Sequence, residues 1–285
     1  MLCEIAAKAA NAVAASFGLK IQEAKLLGGY ANFMFKLEPF PIVARVAASA
    51  NALRNSADWL AREVDVAKFL NQAGANVVTP ASILPPGPHT HEGSFLSFWN
   101  YVEVAATPIS PVKFGEELSV LHSIMNGYAA ELPVMGALEE AWIILGRPEV
   151  VSCLTAEAGD IIARKSDRIR AAIARRQLDC QPLHGDAHHG NLWATASRPI
   201  WGDFEDSHLG PVEWDLACMT ASSRIFGRGG AAAEALEAYA KKYDGTLLEL
   251  LIEARTLQAV AWAVITLPEP NTNARFRKRM EWLAG

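Results

Sequence analysis

The chain lacks several features, and each absence removes a class of protein. Its 285 residues include four cysteines, Cys3, Cys153, Cys180 and Cys218, and no Cys-x-x-Cys pair. That spacing offers neither a disulfide framework nor a zinc knuckle, and it suits a reducing compartment. No basic block is long enough to form a nucleic-acid surface, and the formal net charge is -5. The longest apolar run, 259–267, falls far short of a bilayer span. The N-terminal stretch carries Glu4 and Lys8 within an alanine-rich pattern, so it lacks the unbroken apolar core of a signal peptide. These absences predict a cytoplasmic protein with no nucleic-acid and no membrane partner.

Hydrophobic residues make up 51% of the chain and charged residues 20%, enough apolar material for a large core. Residues 5–17 are mostly helix formers and stop at Gly18. Segments 20–27, 32–38 and 42–47 read as strands of an antiparallel meander, broken by Gly28-Gly29 and by Pro39-Phe40-Pro41. Residues 57–72 bring Trp59, Val66, Phe69 and Leu70 near one helical face. Two further strands, 77–84 and 94–102, complete a five-stranded sheet. From Pro111 onward the period is helical, over 114–125, 137–145, 156–176, 214–225, 231–243, 247–266 and 274–283. The expectation is an α+β protein of two lobes: a β-rich lobe over 1–102 and a mostly helical lobe over 103–285.

The helical half is interrupted by one dense polar stretch, 183–206, holding His184, Asp186, His188, His189, Asn191, Asp203, Glu205 and Asp206, with His208 just beyond. Short apolar segments at 181–183, 192–194 and 199–204 punctuate it, which places polar groups at the ends of buried strands. Two chemistries fit these residues. A hard cation such as Mg²⁺ takes few protein oxygens, so Asn191 and Asp203 suffice and Asp186 is left to receive a proton. Alternatively, His184, Asp186, His188 and His189 form the ligand cluster of a metal-dependent hydrolase.

His184-Gly185-Asp186, followed by Asn191, resembles the catalytic loop of the aminoglycoside phosphotransferase and choline kinase group, relatives of protein kinases. Asp203-Phe204-Glu205 resembles the metal-binding motif of that group, and 210–217 resembles the segment that opens the next helix and braces the loop. Leu27-Gly28-Gly29-Tyr30-Ala31-Asn32 resembles its nucleotide-phosphate turn. Arg45 and Glu63 fall where the group places a basic strand residue and its helix carboxylate, and 97–102 resembles the hinge strand.

The resemblance implies a bilobal protein-kinase-like fold with a small β-rich N-lobe and a larger helical C-lobe. It also implies a kinase that moves the γ-phosphoryl group of ATP or GTP to a hydroxyl of a small acceptor, such as an aminoglycoside or an amino alcohol. Asp186 is then the catalytic residue, and Asn191 and Asp203 bind Mg²⁺. Gly28, Gly29, Asn32, Arg45, Glu63, Tyr101 and Val102 bind the nucleotide. An Arg at position 45 grips phosphate in a fork where a Lys acts as a point charge. His122 and His184 are expected to be structural. An inactive nucleotide-binding protein is the remaining alternative. Glu205, Asp206 and Glu213 suggest an acidic wall suited to a cationic acceptor, against a plainer role as helix caps and surface charges. Trp193, Trp201 and Trp214 suggest an aromatic box, against a plainer role in the core.

Overall fold

The computed structural model describes residues 2–29, 32–47, 56–227 and 229–285. The chain forms two compact units, one of Met1–Pro108 with Trp193–Glu205, the other of Ile109–Leu192 with Asp206–Gly285. The first opens with helix α1 (Leu2–Ser16) and strands β1 (Glu23–Gly29), β2 (Asn32–Glu38) and β3 (Ile42–Ala47). Helix α2 (Ser56–Gln72) and strands β4 (His89–His91) and β5 (Ser94–Asn100) follow. The sheet order is β1-β2-β3-β5-β4, and its neighbouring strands run antiparallel.

Period-two alternation in β3 decides what this unit presents on each face. Ile42, Ala44 and Val46 point into a layer with Phe35, Leu37, Leu96, Phe98 and the small-residue face of α1, Ala6, Ala10 and Ala14. Each fully buried Leu, Ile or Phe there contributes on the order of 1.5–3 kcal/mol. Val43 and Ala47 point to the other face and pack on Val64, Ala67, Trp59 and Leu60 of α2. Arg45 lies between them in sequence, so the same alternation turns it toward α2. Glu63 sits at helical spacing between Trp59 and Ala67, on the face that α2 turns to the sheet.

Five strands form, but they are not the five expected. Residues 77–84 make isolated bridges, Val77 with Trp201 and Pro80 with Trp99, rather than a strand. Pro80 supplies no N–H to a ladder, and the polar His-Thr-His segment takes the edge instead. The division between units falls at Pro108, beyond the residue 102 expected, and the 193–205 segment returns to the first unit. Backbone hydrogen bonds explain that return: Val78 N–H donates to Trp201 O (2.8 Å), Trp201 N–H to Asn76 O (3.0 Å) and Ala105 N–H to Ala194 O (2.8 Å).

The second unit carries helices α3 (Pro111–Met125), α4 (Gly136–Leu145), α5 (Pro148–Val151) and α6 (Ala156–Ala174), then strand β6 (Gln181–Leu183). Strands β7 (Leu192–Trp193) and β8 (Ile200–Trp201) belong to the excursion that rejoins the first unit. Strand β9 (His208–Gly210) then pairs antiparallel with β6, and helices α7 (Glu213–Ile225), α8 (Gly229–Tyr239), α9 (Gly245–Thr266) and α10 (Ala274–Ala284) complete the chain. Side chains cap the helix starts where the sequence provides them: Ser110 for α3, Thr155 for α6, Asp244 for α9 and Asn273 for α10. Helix α9 is buried along most of its length and packs against α4, α6, α7 and α10. Among the described residues, no helix is long and apolar enough to cross a membrane.

Candidate active site

In the first unit, a cavity of about 530 Å³ is lined by Gly28, Gly29, Asn32, Arg45, Glu63, Tyr101, Val102 and Asp203. It thus gathers all seven residues expected at the nucleotide, together with one of the two expected at the metal. Tyr30 and Ala31, the middle of the expected phosphate turn, lie outside the described residues. Gly28 and Gly29 end β1, where the register to β2 shifts after Leu26. A Cβ on Gly28 would meet no atom of the described residues within 4 Å, so none of these requires the small residue there.

Arg45 is 5% exposed, and its guanidinium donates to Glu63, to Asp203 Oδ1 at 2.8 Å and to Glu205. Burial alone would ease its proton off; the charges of Asp203, Glu205 and Glu63 outweigh that and hold it firmly charged. Three carboxylates therefore surround one guanidinium. Glu205, which also accepts from Asn32 Nδ2 at 3.1 Å, was not among the expected nucleotide residues. It belongs to this cavity and not to an acidic acceptor wall. Asp203 takes a left-handed backbone, φ +68, uncommon for a non-glycine residue and characteristic of functional turns.

At the expected hinge, Tyr101 N–H already donates to Pro41 O at 2.8 Å, so it is not a free donor for a base. Tyr101 and Val102 line the cavity nonetheless. Its apolar wall comes from Val43, Val78, Met34 and Trp99. Trp201 is buried and the Trp193 ring lies against Gly202, both in the first unit, whereas Trp214 is buried in the second. Trp201 and Trp214 are packing residues, whereas Trp193 lines the cavity of the first unit.

The second unit holds the loop expected to be catalytic, which follows β6. Gly185 has φ +87, and a Cβ there would lie 1.9 Å from Asp206 O, so only glycine fits. Asp215, fully buried in α7, accepts the N–H groups of His184 and Gly185, each at 2.9 Å. Trp214 Nε1 donates to Gly185 O at 2.8 Å. His122 Nε2 donates to Asp215 Oδ2 at 3.0 Å, and His122 Nδ1 and the Tyr239 hydroxyl are hydrogen-bonded at 2.7 Å. Burial pushes the Asp215 carboxyl up, but hydrogen bonding to His122 and the neighbouring His122, His184 and His208 rings hold it below its ordinary value. His122 and His184 are thus both buried in the network that holds the loop.

Asp186 sits at the tip of the braced loop with its side chain 20% exposed. Arg255 of α9 donates to Oδ1, and His188 Nε2 lies 3.4 Å from Oδ2. Burial raises the carboxyl's affinity for a proton; Arg255 first, then His188 and His184, reverse this and hold it far below the ordinary carboxylate range. Asn191 donates from Nδ2 to Asp186 O at 2.9 Å, which orients the amide and leaves Oδ1 for a cation. Arg255 has no sequence signal, because a lone Arg on a helix reads as a solvated charge.

The histidine cluster of the competing hydrolase does not assemble. His184 Nδ1 accepts the Asp186 N–H, His188 Nδ1 accepts the Gly190 N–H and His189 lies on the Phe114 ring with centroids 4.5 Å apart. Among the described residues, no three His, Cys, Asp or Glu side chains converge as metal ligands. Glu213 is buried and accepts the Asp244 N–H at 2.6 Å, so it does not face an acceptor either.

Residues 25–257 match the model of the phosphotransferase enzyme family, APH. No curated protein sequence matches the chain. Among solved structures, the amicoumacin kinase hAmiN in complex with AMP-PNP, Ca²⁺ and Ami is similar over 99% of this chain and 96% of its own, at 14% identity and a TM-score of 0.71. The choline kinase LicA from Streptococcus pneumoniae is similar over 96% and 97%, at 15% identity and a TM-score of 0.69. The GDP complex of an aminoglycoside 2'-phosphotransferase-IIIa is similar over 95% of each chain, at 13% identity and a TM-score of 0.64. These likenesses establish the protein-kinase-like fold.

Proposed function

We propose, from the premise that this chain belongs to the phosphotransferase enzyme family, that it transfers the γ-phosphoryl group of ATP or GTP to a hydroxyl of a small molecule. The observation that carries the reading is Asp186: an ionised carboxylate on a loop fixed by a buried brace, beside an asparagine whose amide oxygen is left for a cation.

Asp186 accepts a hydrogen bond from the acceptor hydroxyl and orients its oxygen. The acceptor oxygen forms a bond to the γ-phosphorus as the bond from phosphorus to the bridging oxygen breaks. The nucleoside diphosphate leaves, and the hydroxyl proton passes to Asp186. Arg255 keeps this carboxylate a weak base, which suits phosphoryl transfer, where positioning and charge neutralisation matter more than early deprotonation.

The first unit's cavity fits the other reactant. Buried Arg45 Nε and Asn32 Oδ1 have no hydrogen-bond partner among the described residues, and three carboxylates against one guanidinium favour an added cation. Asp203, partly exposed, and Asn191 are the residues assigned to Mg²⁺. When bound, the metal neutralises charge on the transferred phosphates. The apolar wall of Val43, Val78 and Trp99 suits a purine.

Nucleotide consumption across a panel of aminoglycosides, amino alcohols, sugars and sugar acids tests the proposal. An acceptor should be found, and Asp186→Ala should lower turnover on it by about 10²–10⁴-fold while ATP with Mg²⁺ still raises the melting temperature. Full activity in that variant would overturn the mechanism. Nucleotide binding with no turnover on any acceptor would favour an inactive nucleotide-binding protein.

A further inference from the structure

The second unit contains a cavity of about 360 Å³, walled by α7, α9, α10 and the catalytic loop, that no step above has used. Two of its lining residues, Arg255 and His188, also face the carboxylate oxygens of Asp186. A molecule in this cavity therefore lies one side chain away from the catalytic group. Its other charged walls are Arg275 and Arg279, and no carboxylate lines it among the described residues.

Arg255 is neutralised by Asp186 and further held by Gln258 Oε1. Arg275 and Arg279 have no such partner: among the described residues neither forms an ion pair. They lie one turn apart on α10, where like charges repel. Both guanidinium groups stand over the Phe226 ring, at 5.5 Å and 5.4 Å, which sets their planes and leaves N–H edges for an acceptor. Burial, with the charges of Arg255 and Arg275, pulls the Arg279 guanidinium down to about 10. Arg279 is half-buried and Arg275 is exposed at the cavity's rim.

We infer that the cavity beside Asp186 is the acceptor site, and that the acceptor carries an anionic group, a carboxylate or a phosphate, held by Arg275 and Arg279. The inference rests on the kinase reading above and goes beyond it by fixing the sign of the acceptor's charge. Ser222 and Ser223 in the same wall offer hydroxyls to an acceptor's other polar groups. Cys218 also lines the cavity, but burial keeps its thiol well above its ordinary value, so it packs and does not react.

Matched acceptors of different charge provide the test on the full chain: glucose, glucosamine, gluconate and glucose 6-phosphate, with glycerol, serinol, glycerate and glycerol 3-phosphate. The carboxylate and phosphate arms tell the two anion sources apart. An anionic member should be turned over with a kcat/KM at least about tenfold above its neutral and cationic counterparts. The double variant Arg275→Gln, Arg279→Gln should remove that preference, and Arg275→Lys, Arg279→Lys should restore part of it. Turnover of a neutral or cationic acceptor that is best in the wild type and unchanged in the double variant would overturn the inference and leave the kinase reading intact. A binding arm decides the matter if no panel member is phosphorylated. With ADP and Mg²⁺ saturating the nucleotide site, inorganic phosphate should raise the melting temperature of the wild type and not of the double variant. Equal shifts would overturn the inference, whereas failure of ATP with Mg²⁺ to stabilise the wild type would instead overturn the kinase reading.

Discussion

The cavities of the two units carry opposite surpluses of charge. In the first, Glu63, Asp203 and Glu205 converge on Arg45, so carboxylates outnumber cations. In the second, no carboxylate lines the cavity among the described residues: Arg255 pairs with Asp186 beside it, and Arg275 and Arg279 form no ion pair among those residues. Charge withdrawn from water is costly unless paired, most of all at buried Arg45 and Glu63 and less at half-buried Arg279 and exposed Arg275, so a surplus of one sign marks a place where a ligand of the other sign completes the pairing. The first cavity suits a metal cation arriving with a nucleotide, and the second suits an anionic acceptor. Away from both, Asp215 and His122 form a pairing that is already complete, and it supports the loop and leaves the chemistry to Asp186.

The largest expected effect comes from deepening the first surplus. Arg45→Ala would remove the guanidinium that three carboxylates share, Glu63 almost wholly buried among them, and should destabilise the fold by ~3–5 kcal/mol. Millimolar Mg²⁺ should recover part of that loss in chemical denaturation and should help the variant more than the wild type. Equal Mg²⁺ effects on both proteins would break the contrast between the cavities.

Next in size is the completed pairing. Asp215→Ala removes the acceptor of two backbone N–H groups and of His122, and should cost ~3 kcal/mol at neutral pH. Because the folded carboxyl is held below its ordinary value, its contribution is fully present above about pH 4, the unfolded pKa, and is lost as pH falls through the lower folded value. The gap between wild type and variant should therefore narrow on acidification below about pH 4. A gap that stayed constant down to the acid transition would mean that the Asp215 charge is not what supports the loop.

The parts legible in sequence were those set by local periodicity. Alternation in β3 and the helical face of α2 brought Arg45 to Glu63, and the spacing of Asp186 and Asn191 put both on one turn. Segment 77–84 misled because its apolar residues look like a strand while Pro80 forbids a regular ladder. The rest depended on long-range placement. Glu205 reaches Arg45 only because 193–205 returns to the first unit, and the cationic wall is assembled from α9 and α10, far along the chain from Asp186. On a helical wheel, Arg255, Arg275 and Arg279 look like solvated charges.

A smaller effect would sharpen the assignment of Arg255. Arg255→Gln removes the cation that most strongly holds the Asp186 carboxyl down, so burial and the weaker His188 contact are left to set its value. The acidic limb of the kcat/KM profile should move to higher pH, with the loss of kcat/KM growing as the pH is lowered. An unmoved limb together with a lower rate would show that Arg255 contacts the reactants without tuning Asp186.

The smallest expected change is at His122, and its smallness is the point. His122→Gln removes one of the three hydrogen bonds that Asp215 accepts and disturbs the Tyr239 O–H, while the N–H groups of His184 and Gly185 still reach the carboxylate. One net buried hydrogen bond is worth about 1 kcal/mol, so the variant should lose roughly that in urea denaturation and keep kcat within a few-fold. Combining it with Tyr239→Phe should cost less than the sum of the two, because both act on the same bond. If His122→Gln instead lowered kcat a hundredfold or more with the fold intact, the buried histidine would belong to the reaction, and the second unit could no longer be divided into a supporting network and a separate, cation-lined place for the acceptor.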